Sequence, residues 1–274
     1  MKKIAVLLLV CVMAVVLCPM GVAAASMTAE GVSYVVEEGK VTITDCLSTF
    51  SGDLTIPAEI DGCPVTAIAD NAFFDCKQLG AVVIPEGVTA IGSQAFRGCT
   101  HLNSITIPAS VISIGYDAFA STALFNNFDN WEDGLLYAGD CLVASRIVTG
   151  QAVIKDGTRL IADGVFYESD VLAVSIPASV KYVGVDAFDA CATLAEVHYG
   201  GDAAAWSKVT VAVGNAPLTE ATRYDGSQLS NGEPGGDWVW LLVAIVGGAV
   251  AVACIVAMIL LRKKNKSATK ADQE

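Results

Sequence analysis

Hydrophobic positions recur along this chain with a period of 23 residues. Leu54–Ile56–Pro57, Val82–Ile84–Pro85, Ile105–Ile107–Pro108 and Val174–Ile176–Pro177 each set two alternating apolar residues before or beside a proline. Such alternation predicts a short strand with one face inward, closed by a proline that has no N–H to give to a ladder. Behind each proline come an apolar residue, two more positions and an Ile or Val, usually followed by Gly. The copies are Val65–Ile68, Val88–Ile91–Gly92, Val111–Ile114–Gly115 and Val180–Val183–Gly184, and they predict a second short strand. Five residues on stands Phe73, Phe96, Phe119 or Phe188, and Ile161 to Phe166 keeps the same step. The stretches around Ala72–Phe73 and Ala95–Phe96 have room for about one helical turn. A fixed period in this range means a solenoid. Stacked copies place the phenylalanines as an interior spine, each ring burying apolar area that contributes roughly 1.5–3 kcal/mol. No single repeat can bury its own face, so stability is shared between neighbours.

Departures from the period mark the boundaries. Alternating residues 32–36 and 41–43 around Glu38–Gly39 predict a hairpin, read as an N-terminal cap over residues 26–52. The solenoid spans 53–194. Its first copy carries five extra residues around Ile60–Pro64, and the step from Phe119 to Phe166 is 47 residues. An altered turn near 125–150 fills that step, and Leu135–Tyr137 and Cys141–Val143 flank Ala138–Gly139–Asp140 as a second hairpin. Residues 195–224 form a C-terminal cap, and 225–237, rich in Gly, Ser, Asn and Asp, form a flexible stalk.

The two ends set the compartment. Lys2–Lys3, an apolar run and Ala23–Ala25 make residues 1–25 a secretory signal peptide. Trp238–Leu261 is an uncharged apolar run, about 36 Å long as a helix, which spans a bilayer. Arg262, Lys263, Lys264 and Lys266 follow it, so the tail 262–274 is cytoplasmic and the chain is a single-pass type I membrane protein, facing outside or into a periplasm.

Charge narrows the partners. The whole chain has net charge −13, but between residues 26 and 237 stand only 9 basic against 27 acidic side chains. Such a surface repels nucleic acid and anionic lipid and favours basic partners or divalent cations.

Six cysteines lie outside the membrane segments: Cys46, Cys63, Cys76, Cys99, Cys141 and Cys191. Cys76, Cys99 and Cys191 share one repeat position, three residues after Phe, which favours buried thiols. Secretion leaves disulfides open, with Cys76–Cys99 and Cys46–Cys63 as the pairs to consider. The histidines are His101 and His198 alone, and no nucleophile elbow, phosphate loop or zinc spacing is present. The pattern points away from an enzyme and implies no cofactor.

Two surfaces are candidates for contact. The segment with Phe125, Phe128 and Trp131 offers aromatic anchors on an irregular loop. Its Asn126, Asn127, Asp129, Asn130, Glu132 and Asp133 are oxygen ligands of the kind calcium takes, but the spacing is not that of an EF-hand, and a solvated loop is the better reading. The second is the outward face of the Pro-ended strands, with Thr55, Val83, Thr106 and Ser175, which is small and mostly uncharged.

Val88, Ile91–Gly92, Ala95–Phe96, Cys99, Leu102, Ile105 and Ile107–Pro108 together resemble the BspA-type leucine-rich repeats of bacterial and some protist surface proteins. The resemblance covers about residues 31–224 and includes Asp61–Gly62 before Pro64–Val65, Asp156–Gly157–Thr158, and Trp206 with Gly214–Asn215. Val165 and Ser169 depart from the usual Ala and Cys, as does the altered middle turn. The resemblance implies a curved α/β repeat solenoid, strand-rich with short helical turns, used for adhesion or ligand capture at a cell surface. The expectation is a membrane-anchored repeat protein that binds an extracellular protein non-covalently. An envelope role, structural or polysaccharide-binding, and a place as subunit of a membrane complex are the alternatives.

Overall fold

The computed structural model describes residues 26–27, 31–47, 49–146 and 150–226. The predicted signal segment, most of the stalk, the span 238–261 and the tail lie outside the described residues. Among the described residues, no helix is long and apolar enough to cross a membrane.

The repeat pattern becomes a strand-rich solenoid with two ladders of strands. Residues ahead of the prolines stack in parallel as Ser51–Thr55, Gln78–Val83 and Ser104–Thr106 in one three-stranded sheet; in a four-stranded one Val171–Ile176, ahead of Pro177, stacks with Gly150–Val153, Glu196–Tyr199 and Thr222–Asp225, which no proline follows. The Ile–Gly segments form the other ladder. Cys63–Ile68, Ala90–Ile91 and Ser113–Ile114 continue from the hairpin Val32–Glu37/Lys40–Cys46. Leu160–Ile161, Tyr182–Val183 and Thr210–Val211 continue from Cys141–Ser145, itself paired antiparallel with Leu135–Ala138.

Between the ladders runs the column of rings. Phe73, Phe96 and Phe119 stack face to face at 4.8 and 5.6 Å, and Phe166 stacks on Phe188 at 4.8 Å. All five are buried. Each Phe N–H donates to the next turn: Phe73 to Ala95 O at 2.7 Å, Phe96 to Ala118 O at 2.8 Å, Phe166 to Ala187 O at 2.7 Å. The turns therefore hold each other by backbone bonds as well as by packing.

The expected helical turn around each phenylalanine is absent, and the backbone shows why. The residue two before each ring (Asn71, Gln94, Asp117, Gly164, Asp186) and the residue two after it (Asp75, Gly98, Ser121, Glu168, Ala190) all have positive φ, between 52° and 78°. An α-helix needs φ near −63° at every position, so two left-handed residues four apart leave only a compact hydrogen-bonded turn. The α-helices among the described residues are Ala123–Asn126, Ala203–Trp206 and Ala216–Glu220, all short. The fold is thus a β-solenoid with few helices rather than an α/β one.

The glycines after Ile and Val have a different reason. A Cβ on Gly92 would collide with the Asp70 backbone, one on Gly115 with Ser93 and one on Gly184 with Asp163. At this corner successive turns approach so closely that only a hydrogen fits.

Where the period slips, Arg159 joins the two halves. Its side chain is largely buried; Nε donates to Asp140 at 2.8 Å, Nη2 to Pro108 O at 2.8 Å, and Nη1 to Val111 O. A guanidinium thus reaches two carbonyls of the preceding turn; one turn earlier the matching Val88 O accepts from the Ser110 hydroxyl at 2.8 Å. Asp163 N–H donates to Ile114 O at 2.9 Å across the same junction.

Cys46, Cys76, Cys99, Cys141 and Cys191 are buried free thiols, so neither the Cys46–Cys63 nor the Cys76–Cys99 bridge forms. The shared repeat position has its own role: Cys99 Sγ donates to Phe73 O at 3.0 Å and Cys191 Sγ to Phe166 O at 2.9 Å.

Candidate binding surface

The altered turn starts at Thr122. Its buried hydroxyl donates to Phe119 O at 2.8 Å and accepts from Phe125 N at 3.0 Å, capping the helix Ala123–Asn126. Asn127 then caps a single 3-10 turn, Phe128–Asn130, by accepting from Asp129 N at 3.1 Å. Trp131 turns back: its Nε1 donates to Phe125 O at 2.8 Å and its ring meets Phe125 edge to face at 5.1 Å. The guanidinium of Arg146 sits 4.1 Å from the Trp131 ring centre, 4.7 Å from Phe128 and 4.9 Å from Phe125. A cation over an aromatic face is attracted by the ring quadrupole, so the half-buried Arg146 holds this loop together.

The structure therefore brings Phe125, Phe128 and Trp131 together, but in unequal roles. Phe125 and Trp131 pack on each other and on the core, while Phe128 is 74% exposed. Asp129 is exposed beside it, and Asp133 opens a tight turn with φ of 49°. Among the described residues no group of three or more carboxylate, histidine or cysteine side chains is placed to hold a metal ion.

The candidate strand face divides. Thr55, Val83 and Thr106 stand opposite one another in a single exposed row of the three-stranded sheet. Ser175 belongs to the four-stranded sheet, in a row with Val153, His198 and Tyr224. There the His198 and Tyr224 rings stack at 5.2 Å and 14°, and His198 Nε2 lies 3.1 Å from Glu196 Oε2. Sequence reasoning missed this aromatic pair. The alternation Val197–His198–Tyr199 was its signal for His198, but Tyr224 stands 26 residues on, in a strand that the repeat pattern does not mark.

Behind the loop lies a cavity of about 330 Å³. Phe125 closes one side, Tyr116 and Tyr167 another, and Asp117, Asp163, Glu168 and Asp170 line it as well. Tyr116 and Tyr167 meet edge to face at 6.4 Å. Tyr116 rests on the backbone of Gly164, where any Cβ would strike its ring. Burial pushes the Asp163 carboxyl up, the Asp186 charge adds to this, and the Val185 N–H at 2.8 Å opposes it.

A family model described as BspA type leucine rich repeat region matches six copies between residues 66 and 195. Residues 66–195 are a BspA-type leucine-rich repeat region. Among solved structures, this repeat protein is similar to a leucine-rich repeat protein of T. pallidum, with 29% identity, 63% of this chain and 71% of that chain covered, and a TM-score of 0.38. It is also similar to a leucine-rich cell surface protein of Faecalibacterium prausnitzii A2-165, with 24% identity, 65% and 55% coverage and a TM-score of 0.36. A leucine-rich repeat protein of Bacteroides ovatus matches at 21% identity, 63% and 47% coverage and a TM-score of 0.36. The chain thus spans about half the length of the latter two. No curated relative matches it significantly in sequence.

Proposed function

We propose that this repeat protein is displayed at the cell surface, held by the apolar segment 238–261, and binds a protein partner non-covalently through the loop 122–134. The observation that carries the reading is the Phe128 ring, exposed although Arg146 lies over it, on a loop whose other aromatics pack on each other and on the core. A large apolar side chain on a preorganised support loses little freedom on binding and fits the pattern of an interface anchor. Adhesion to a protein of a host or neighbouring cell is the activity this serves. The test is adhesion of cells displaying the full chain to a panel of immobilised extracellular-matrix proteins. A Phe128→Ala chain, displayed at equal density, is expected to lose at least tenfold in saturable binding. Unchanged binding would remove the loop from the interface.

A second reading has its own observation. The stacked His198–Tyr224 pair, with Glu196 and Ser175 beside it, offers an aromatic platform and polar groups of the sort a sugar ring uses. It favours an envelope role with wall polysaccharide as ligand. Retention of polysaccharide by the parent chain and its loss in Tyr224→Ala would support that role. Equal retention by both would remove it.

A further inference from the structure

The cavity behind the Phe128 loop exists because the period is interrupted. In the regular stack, Gln94 N–H meets Tyr116 O and the next turn closes over the last. Beyond Tyr116 and Asp117 the altered turn intervenes, and the next ring turn, residues 163–170, leaves a space of about 330 Å³. That volume is at the low end of small-molecule sites, enough for one long side chain.

Its walls define the occupant. Three aromatic residues, Tyr116, Phe125 and Tyr167, and four acidic ones, Asp117, Asp163, Glu168 and Asp170, line a space that no Lys, Arg or His lines. Asp117 is balanced by Arg97 at 3.0 Å. Arg146, the other nearby cation, is held over the loop rings and does not line the cavity. Aromatic faces with carboxylates are how proteins seat an organic cation: the rings supply the quadrupole and the desolvated contact, the carboxylates the charge. The described residues hold no group of three metal-ligating side chains, so the geometry favours a cation with a hydrocarbon stem over a bare metal ion.

We propose that this cavity receives the basic side chain, lysine or arginine, of the bound protein partner. The inference rests on the reading of the adjacent loop as a protein-binding surface. Phe125 is common to both, so a partner seated on Phe128 has the cavity within reach of a neighbouring side chain.

The probes are N-acetyl-arginine amide and N-acetyl-lysine amide, with N-acetyl-citrulline amide as the neutral isostere of the first. Each is titrated into the full chain in lipid nanodiscs by calorimetry, with and without calcium. The charged probes are expected to bind saturably, at least tenfold more tightly than the citrulline derivative. Glu168→Gln with Asp170→Asn is expected to weaken them at least tenfold. Asp163→Asn, which keeps an oxygen for the Val185 N–H, is expected to do the same and serves as the second variant should the first unfold. No binding, equal binding of the citrulline amide, unchanged binding in folded variants, or displacement of the probe by millimolar calcium would each overturn the proposal. The probes need no protein partner, so the result is separate from the fate of the adhesion reading.

Discussion

Asn215 Oδ1 accepts the Phe188 backbone N–H at 2.9 Å. In earlier turns that hydrogen goes to a main-chain carbonyl of the following repeat, as from Phe166 to Ala187. Here no further ring turn follows, and a buried side-chain amide stands in for it. Asn215 Nδ2 meanwhile donates to Gly184 O at 2.8 Å and Ala212 O at 2.9 Å. A buried donor left without a partner costs about 1–3 kcal/mol. Asn215→Ala is therefore expected to lower unfolding free energy by about 3 kcal/mol, read by urea denaturation. Asn215→Asp is expected to do no better, because its oxygens would face those carbonyls. A loss below about 1 kcal/mol would mean the cap closes without this residue.

Two phenylalanines separate packing from contact. Phe96 sits mid-column between two stacked rings, so Phe96→Ala is expected to cost about 3–5 kcal/mol. Phe128→Ala removes an exposed ring and is expected to change stability by no more than about 0.5 kcal/mol. Denaturant midpoints of the two variants test this directly.

Much of this was legible in the sequence, for a physical reason. Strands such as Gln78–Val83 and the column Phe73–Phe96–Phe119 follow from apolar side chains that must face inward once per turn. The left-handed pairs around each ring were not legible, because Gln94, Ala190 and Asn71 share a backbone angle and no side-chain chemistry. That is why a helical turn was expected where none forms. Nor did the strand face show its division: Ser175 and Thr106 read alike along the chain, and only the altered turn puts them in different sheets. At the loop, the residue types suggested three equivalent anchors. Arg146, which sorts them, lies 15 residues past Trp131 in a different strand connection.

The pH dependence of Asp163 has a definite sign. Its carboxyl is pushed above the ordinary 3.8, chiefly by burial, so the folded chain holds this proton to higher pH than the unfolded chain does. Its contribution to stability therefore falls as pH rises through the interval above 3.8, and the ionised form is the less stable one at neutral pH. Asp163→Asn is expected to be more stable than the parent at pH 7, with the difference vanishing below pH 3.8. Thermal midpoints across pH 3–7 measure it, and a constant difference would show that the charge is not the cause.

The thiols should be silent in the fold. Burial pushes Cys99 and Cys141 up to about 12, and neither is exposed. These two hold little thiolate at pH 8; Cys76, pulled the other way by its hydrogen bond to Cys46, is protected by burial alone. An aromatic disulfide reagent is expected to leave Cys46, Cys76, Cys99, Cys141 and Cys191 unmodified in the native chain. In guanidinium, without reductant, all five are expected to react. Reaction of fewer would reveal bridges in the secreted protein.

Arg159 is the last test of the fold. Arg159→Met keeps most of the stem and deletes the bonds to Asp140, Pro108 and Val111. A loss of about 3 kcal/mol is expected, since bonds from a charged donor contribute about 1.5–3 kcal/mol and the carbonyls are left behind.

The same junction bears on how the molecule comes apart. In a linear stack, information about folding passes only between neighbours, so cooperativity is as strong as the weakest coupling in the row. The ring column stops at Phe119 and restarts at Phe166, and the gap is bridged by the guanidinium fork, a few backbone bonds, the Tyr116–Tyr167 contact and the apolar core of the altered turn. Arg159 is in that sense one coupling term of the solenoid, and its loss is expected to make the unfolding transition less cooperative, toward two steps.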